Sequence, residues 1–218
     1  MRRLIAFGDS WTHGHGVEDD ITWKEQALPN DFVFQWRQLN SWPRWLSDRF
    51  GMLYLNFGLA GLCNSRINQV IHAFLPYLRP DDLVIVMWSY PYRGSPNAWD
   101  EKRTLQEIFQ DTNQLLNGYN YFYFNSFFPT FSQEPWVKNE VDITRFVQVD
   151  GCAADMLREH ERQHDVSVWE YQSRNVTDDR QNFQWGDYHP NVFGYQLMAD
   201  WMYDGIINHA CFQDGDKD

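Results

Sequence analysis

Short apolar runs alternate with amphipathic segments along this chain, and that alternation sets its expected architecture. Leu4–Phe7, Leu53–Phe57, Leu83–Trp88 and Tyr121–Phe127 read as strands, the third apolar throughout as a strand covered on both faces would be. Trp42–Phe50, Arg66–Leu78 closed by Pro80, Thr104–Leu116 stopped at Gly118, and Val192–Ile207 carry apolar residues at helical spacing. Strand and helix therefore follow one another in βαβ order, which predicts an α/β fold with a mostly parallel sheet. Residues 129–186 break the rhythm. They are polar and irregular with one predicted helix, Ala153–Gln163, and read as a lid, a substrate-binding segment or decoration of the sheet edge.

With 43% hydrophobic residues, 218 positions suffice for one sizeable core, and a single domain over 1–218 is expected. Eighteen Lys and Arg face 30 Asp and Glu, a formal net charge of -12, so the overall field repels phosphate backbones and anionic lipid. Nucleic acid and membranes are thereby excluded as expected partners, while the oligomeric state stays open. Cys63, Cys152 and Cys211 form neither a disulfide framework nor a zinc knuckle by spacing. Arg2 and Arg3 precede an apolar run too short for a signal peptide, and no stretch approaches a membrane span. A soluble, cytoplasmic protein is the expectation.

In open parallel sheets, ligands bind beyond the carboxyl ends of the strands. The predicted strands lead there into Gly8-Asp9-Ser10, Gly58-Leu59-Ala60-Gly61 and Ser89-Tyr90-Pro91-Tyr92-Arg93, and the closing helix is preceded by Asp187-Tyr188-His189-Pro190-Asn191. A hydroxyl, glycine amides and an imidazole would meet on one rim, and acyl transfer requires those parts. Taken singly, Ser10 reads equally as a helix cap, Gly61 as a turn glycine and His189 as a core histidine. Their order and their shared placement at strand ends favour catalysis.

Three stretches resemble the GDSL/SGNH hydrolase superfamily: FGDSWTHGHG its first block, NFGLAGLCNSRI its second and GDYHPNVFGYQLMAD its last. The resemblance implies a flavodoxin-like three-layer α/β/α sandwich. It implies Ser10 as nucleophile, His189 as general base, and the amides of Ser10 and Gly61 as oxyanion donors. Two departures stand out. The acid expected three residues before the base is replaced by Gly186, which leaves Asp187, Asp178 or Asp179, a backbone carbonyl or water to orient His189. The third block, Gly-x-Asn-Asp in the family, reads Trp88-Ser89-Tyr90-Pro91-Tyr92-Arg93, so Asn64, Ser89 or Arg93 would have to supply the third oxyanion donor.

The residues thus predict a serine esterase acting through an acyl-enzyme on small acyl esters, including O-acetyl groups on carbohydrate, with no cofactor and no metal. Eleven Trp and an aromatic content of 17% suit a sugar-binding surface, with Trp23, Trp36, Trp99, Trp136 and Tyr92 as candidates in the insertions and Trp11, Ser89, Tyr92 and Arg93 as substrate contacts. A non-catalytic glycan-binding module and an O-acyltransferase are the alternatives. His160-Glu161-Arg162-Gln163-His164 spells HExxH, the zinc-peptidase signature, but in a helix charged on nearly every face. His13 and His15 beside the nucleophile loop are expected to touch substrate or solvent.

Overall fold

Four parallel strands form the sheet: β1 (Arg3–Gly8), β2 (Leu53–Gly58), β3 (Leu83–Trp88) and β4 (Asn120–Asn125), in the order β2-β1-β3-β4. The computed structural model describes residues 1–17, 30–89, 98–126, 143–147, 151–169 and 189–213. Register is continuous from Arg3↔Leu53 to Gly8↔Gly58 on one side of β1, and Leu4↔Leu83 to Phe7↔Val86 on the other. The guanidinium of Arg3 fixes the start of this register by donating to both carboxylate oxygens of Asp82, through Nε at 2.8 Å and Nη2 at 2.5 Å.

Alternation along the strands splits the core into two. Leu4, Ala6, Leu83, Ile85, Met87, Phe122 and Phe124 point to one face. There they meet α3 (Trp42–Phe50), α6 (Ala153–His164) and α7 (Val192–Ile207). Ile5, Phe7, Val84, Val86, Trp88, Tyr121 and Tyr123 point to the other, against α4 (Asn64–Phe74) and α5 (Ala98–Leu116). This is the expected three-layer sandwich. In α7 the buried positions Tyr195, Met198, Ala199, Met202 and Ile206 recur at helical spacing, so one stripe of the helix makes the contact.

The elements match the sequence reading where one face is buried, and depart where it is not. A helix over Asn30–Asn40, α2, was not expected, because Phe32, Phe34 and Leu39 are exposed and blur the apolar period. The predicted helix to Leu78 stops at Phe74 and tightens into a 3₁₀ turn over Leu75–Tyr77. Pro76 there has no N–H to give the previous turn. The helix α5 begins six residues before the predicted Thr104, in a polar stretch without period. Two short helices, α1 (Ser10–His13) and α8 (Ala210–Gln213), complete the described set. Most of 129–186 lies outside the described residues, but α6 buries Ala153, Ala154 and Leu157 in the core and so joins the helical layer. No described helix is long and apolar enough to cross a membrane.

Connections run from β1 outward to β2, then back across β1 to β3. The crevice between the carboxyl ends of β1 and β3 is therefore the topological switch point, where open α/β sheets bind ligands.

Candidate active site

At that switch point the chain turns from β1 into α1 without a linker. Gly8 is required, since a Cβ there would lie 2.0 Å from Thr12 Oγ1. Asp9 caps the helix by accepting the Trp11 N–H at 3.0 Å, and its second oxygen accepts the Ser89 hydroxyl at 2.6 Å across the crevice. Ser10 is the first helical residue and is 1% exposed, and its hydroxyl has no hydrogen-bond partner among the described residues. Its amide is one of the helix's opening N–H groups, which have no acceptor within the helix. Its carbonyl accepts the N–H groups of Gly14 at 3.1 Å and His15 at 3.0 Å.

The second loop abuts the first. A Cβ on Gly58 would fall 2.4 Å from the His13 amide nitrogen, so the two backbones touch. The Gly58 carbonyl can only accept, so His13 Nδ1 donates to it at 3.0 Å, leaving Nε2 to accept from Arg37 Nη1 at 3.3 Å. His13 is thus a buried strut rather than the substrate or solvent contact expected of it. Gly61 is exposed with φ +82°, and its absent Cβ faces open space. Asn64 exchanges two bonds with the backbone of Ser89: it accepts from the amide at 2.9 Å and donates to the carbonyl at 3.2 Å.

The base loop arrives from the far end of the chain. Asn191 caps α7 by accepting from Gly194 N at 2.8 Å, and its amide donates to the carbonyls of Ser167 at 3.1 Å and Trp169 at 3.3 Å. Pro190 bridges Trp169 in antiparallel pairing. Held in this way, the His189 ring stands edge-to-face against that of His15, 4.7 Å between centroids at 85°. Gly16, with φ +97°, has no space for a side chain, because a Cβ would lie 2.8 Å from His189 Cβ and 2.6 Å from Pro190 O. The Tyr195 hydroxyl donates to the His15 carbonyl at 2.7 Å.

Trp11, expected at the substrate, is fully buried, its ring centroid 6.0 Å from that of Trp169. Trp169 in turn donates its indole N–H to Glu161 Oε2 at 2.9 Å. The Glu of the HExxH pattern is therefore engaged in holding the base loop's neighbour, while His164 is exposed. Neither the Trp169–Glu161 bond nor the His15–His189 contact was foreseen. The sequence signal for the latter was only the proximity of His15 to the nucleophile. Asp187, Asp178, Asp179, Tyr92 and Arg93 lie outside the described residues.

No family model and no curated protein matches the sequence. Among solved structures, the chain is similar to a carbohydrate esterase family 2 enzyme plus carbohydrate-binding domain from Corynascus thermopiles (Myceliophthora fergusii). Identity is 15% over 94% of this chain and 66% of that one, with a TM-score of 0.54. It is similar also to a carbohydrate esterase whose active site is described as having divergent catalytic and non-catalytic binding functions, at 12% identity over 97% and 70% of the two chains and a TM-score of 0.54. A G-D-S-L lipolytic family protein from Veillonella parvula aligns at 15% identity over 95% and 100%, with a TM-score of 0.46. With its parallel sheet between two helical layers, the chain has a flavodoxin-like three-layer fold, similar to that of the two carbohydrate esterases.

Proposed function

We propose that this protein is a serine ester hydrolase working through an acyl-enzyme, with Ser10 as nucleophile and His189 as general base. The observation that carries this reading is the seat of His189 on His15 and Gly16, in the loop that directly follows the short helix opened by Ser10. A serine needs a neighbouring base, and a hydroxyl without a hydrogen-bond partner among the described residues can give its proton to one.

In this mechanism Ser10 Oγ attacks the ester carbonyl carbon while its proton passes to His189. The amides of Ser10 and Gly61 hold the oxyanion, and the Asn64 amide proton not engaged by Ser89 serves as third donor. Collapse expels the alcohol, which takes the proton from His189. Water, deprotonated by His189, then attacks the acyl carbon and frees the acid and Ser10. Asp187 is the carboxylate assigned to orient the imidazole, and Tyr92 and Arg93 are the substrate contacts this reading assigns. The substrate class is small acyl esters, with O-acetyl groups on carbohydrate favoured by the two carbohydrate-esterase likenesses and by the chain's aromatic content.

Hydrolysis of p-nitrophenyl acetate tests the reading: Ser10→Ala is expected to lower turnover by at least about 10³-fold, and equal rates in the two proteins would end it. A fluorophosphonate should label Ser10. One observation favours a second reading, glycan binding without turnover. The hydroxyl in the altered third block is already given to Asp9, so that donor does not face a ligand. Sugar binding without fluorophosphonate labelling would establish it. An O-acyltransferase would instead pass the acyl group to an added sugar hydroxyl.

A further inference from the structure

We infer that His15 is a positioning residue, which sets the plane and reach of the His189 imidazole relative to Ser10; this rests on the serine-hydrolase reading above. Three contacts converge on it. Its amide donates to the Ser10 carbonyl at 3.0 Å, so its place is coupled to the backbone of the nucleophile. Its carbonyl accepts the Tyr195 hydroxyl at 2.7 Å, which ties it to the helix that follows the base. Its ring stands at 85° to that of His189 with centroids 4.7 Å apart, an arrangement that aromatic pairs favour.

The residue beside it completes the seat. Because Gly16 carries no Cβ, the loop backbone lies against His189 Cβ and the Pro190 carbonyl, which closes off movement of the base toward the loop. The His189 side chain turns chiefly about its Cα–Cβ and Cβ–Cγ bonds. The glycine packs against the root of the side chain at Cβ and so sets where both rotations start, and the His15 ring limits the second through contact at the imidazole. In a two-step acyl transfer the base must face the serine proton, then the leaving alcohol, then water. A ring wall that holds its plane serves all three transfers.

The role is carried by the ring rather than by its nitrogens, and the test separates the two. kcat and KM for p-nitrophenyl acetate, normalised by fluorophosphonate titration of active sites, are compared in wild type, His15→Ala and His15→Phe. His15→Ala is expected to lower kcat by about 10- to 100-fold, the scale of a misplaced reacting group, and to slow Ser10 labelling by a similar factor while KM changes little. His15→Phe, which restores an aromatic wall, is expected to recover most of the lost kcat. An undiminished kcat in His15→Ala overturns the inference, and so does a His15→Phe enzyme as slow as His15→Ala. Absence of Ser10 labelling in the wild-type protein would instead overturn the hydrolase reading, and the positioning role with it.

Discussion

Asp9 and Ser89 clasp the two central strands at their carboxyl ends, the Ser89 hydroxyl donating to Asp9 Oδ2 at 2.6 Å while Asp9 Oδ1 caps α1. The carboxylate thus serves two elements at once, and both depend on it. Asp9→Ala removes a cap and orphans a buried hydroxyl, and should destabilise the protein by about 2–4 kcal/mol. Ser89→Ala should cost about 1–3 kcal/mol. In a thermal-melt double-mutant cycle the two losses should fall short of additive, and strict additivity would mean the bond contributes nothing.

Ser10→Ala is expected to leave the melting temperature unchanged or to raise it. The hydroxyl is buried without a hydrogen-bond partner among the described residues, so its removal takes away no bond seen there. A clear fall in melting temperature would reveal a stabilising bond for Ser10 Oγ. The combination of lost turnover with retained stability would mark the serine as kept for chemistry.

Glycines of the two site loops should differ sharply. A methyl on Gly58 meets the His13 amide nitrogen at 2.4 Å, backbone against backbone, and Gly58→Ala should unfold or severely destabilise the protein. Gly61→Ala projects into open space and meets only the strain of φ +82°, about 1–2 kcal/mol. Chemical denaturation of the two variants checks the order. A Gly61→Ala enzyme that folds but turns over slowly would fit a role for its amide in the oxyanion hole.

The buried Cys152 thiol is pushed up from 9.0 to about 12 by desolvation. At pH 8 iodoacetamide should therefore modify half-buried Cys63 in the native protein and spare Cys152 until it unfolds. Between pH 9.0 and about 12 the unfolded chain loses this proton while the folded one keeps it. The contribution to stability is complete below pH 9.0 and is lost as the pH rises toward about 12. The difference between alkaline melts of wild type and Cys152→Ala should be constant below pH 9.0 and change only in that window, as the wild type alone loses this contribution.

Asn191→Ala should cost both stability and rate. Its side chain caps α7 and reaches two carbonyls of the 167–169 segment, so the loop carrying His189 loses its anchor. A destabilisation of about 1–3 kcal/mol is expected, with kcat falling more than KM rises. Unchanged kcat would show that His15 and Gly16 alone hold the base.

Sequence pattern was informative where burial was one-sided and long. Leu83–Trp88 is apolar throughout because both helical layers cover it, and Val192–Ile207 is rich in apolar residues because Val192, Leu197, Trp201 and Tyr203 pack against the core besides its buried stripe. The helix Asn30–Asn40 was illegible for the opposite reason, its large apolar side chains facing outward. For the site, motif order brought Ser10, Gly61 and His189 to suspicion, but a linear string holds no record of who touches whom. Glu161 stands in an HExxH pattern and accepts the indole N–H of Trp169, and Trp11, expected at the substrate, is buried beside Trp169. Both involve Trp169, which is held by contacts distant in sequence: the Asn191 amide, the Pro190 bridge and the Trp11 ring.

The bond from Tyr195 to His15 joins residues 180 positions apart. During synthesis at about 5–20 residues per second, roughly 10–35 seconds separate the emergence of the two partners from the ribosome. Through that interval the nascent chain carries Ser10 without the imidazole that the proposed mechanism pairs with it. Under the proposed mechanism, a ribosome-stalled fragment ending before His189 is expected to be inert toward esters, with competence arriving only once the base loop and α7 have emerged.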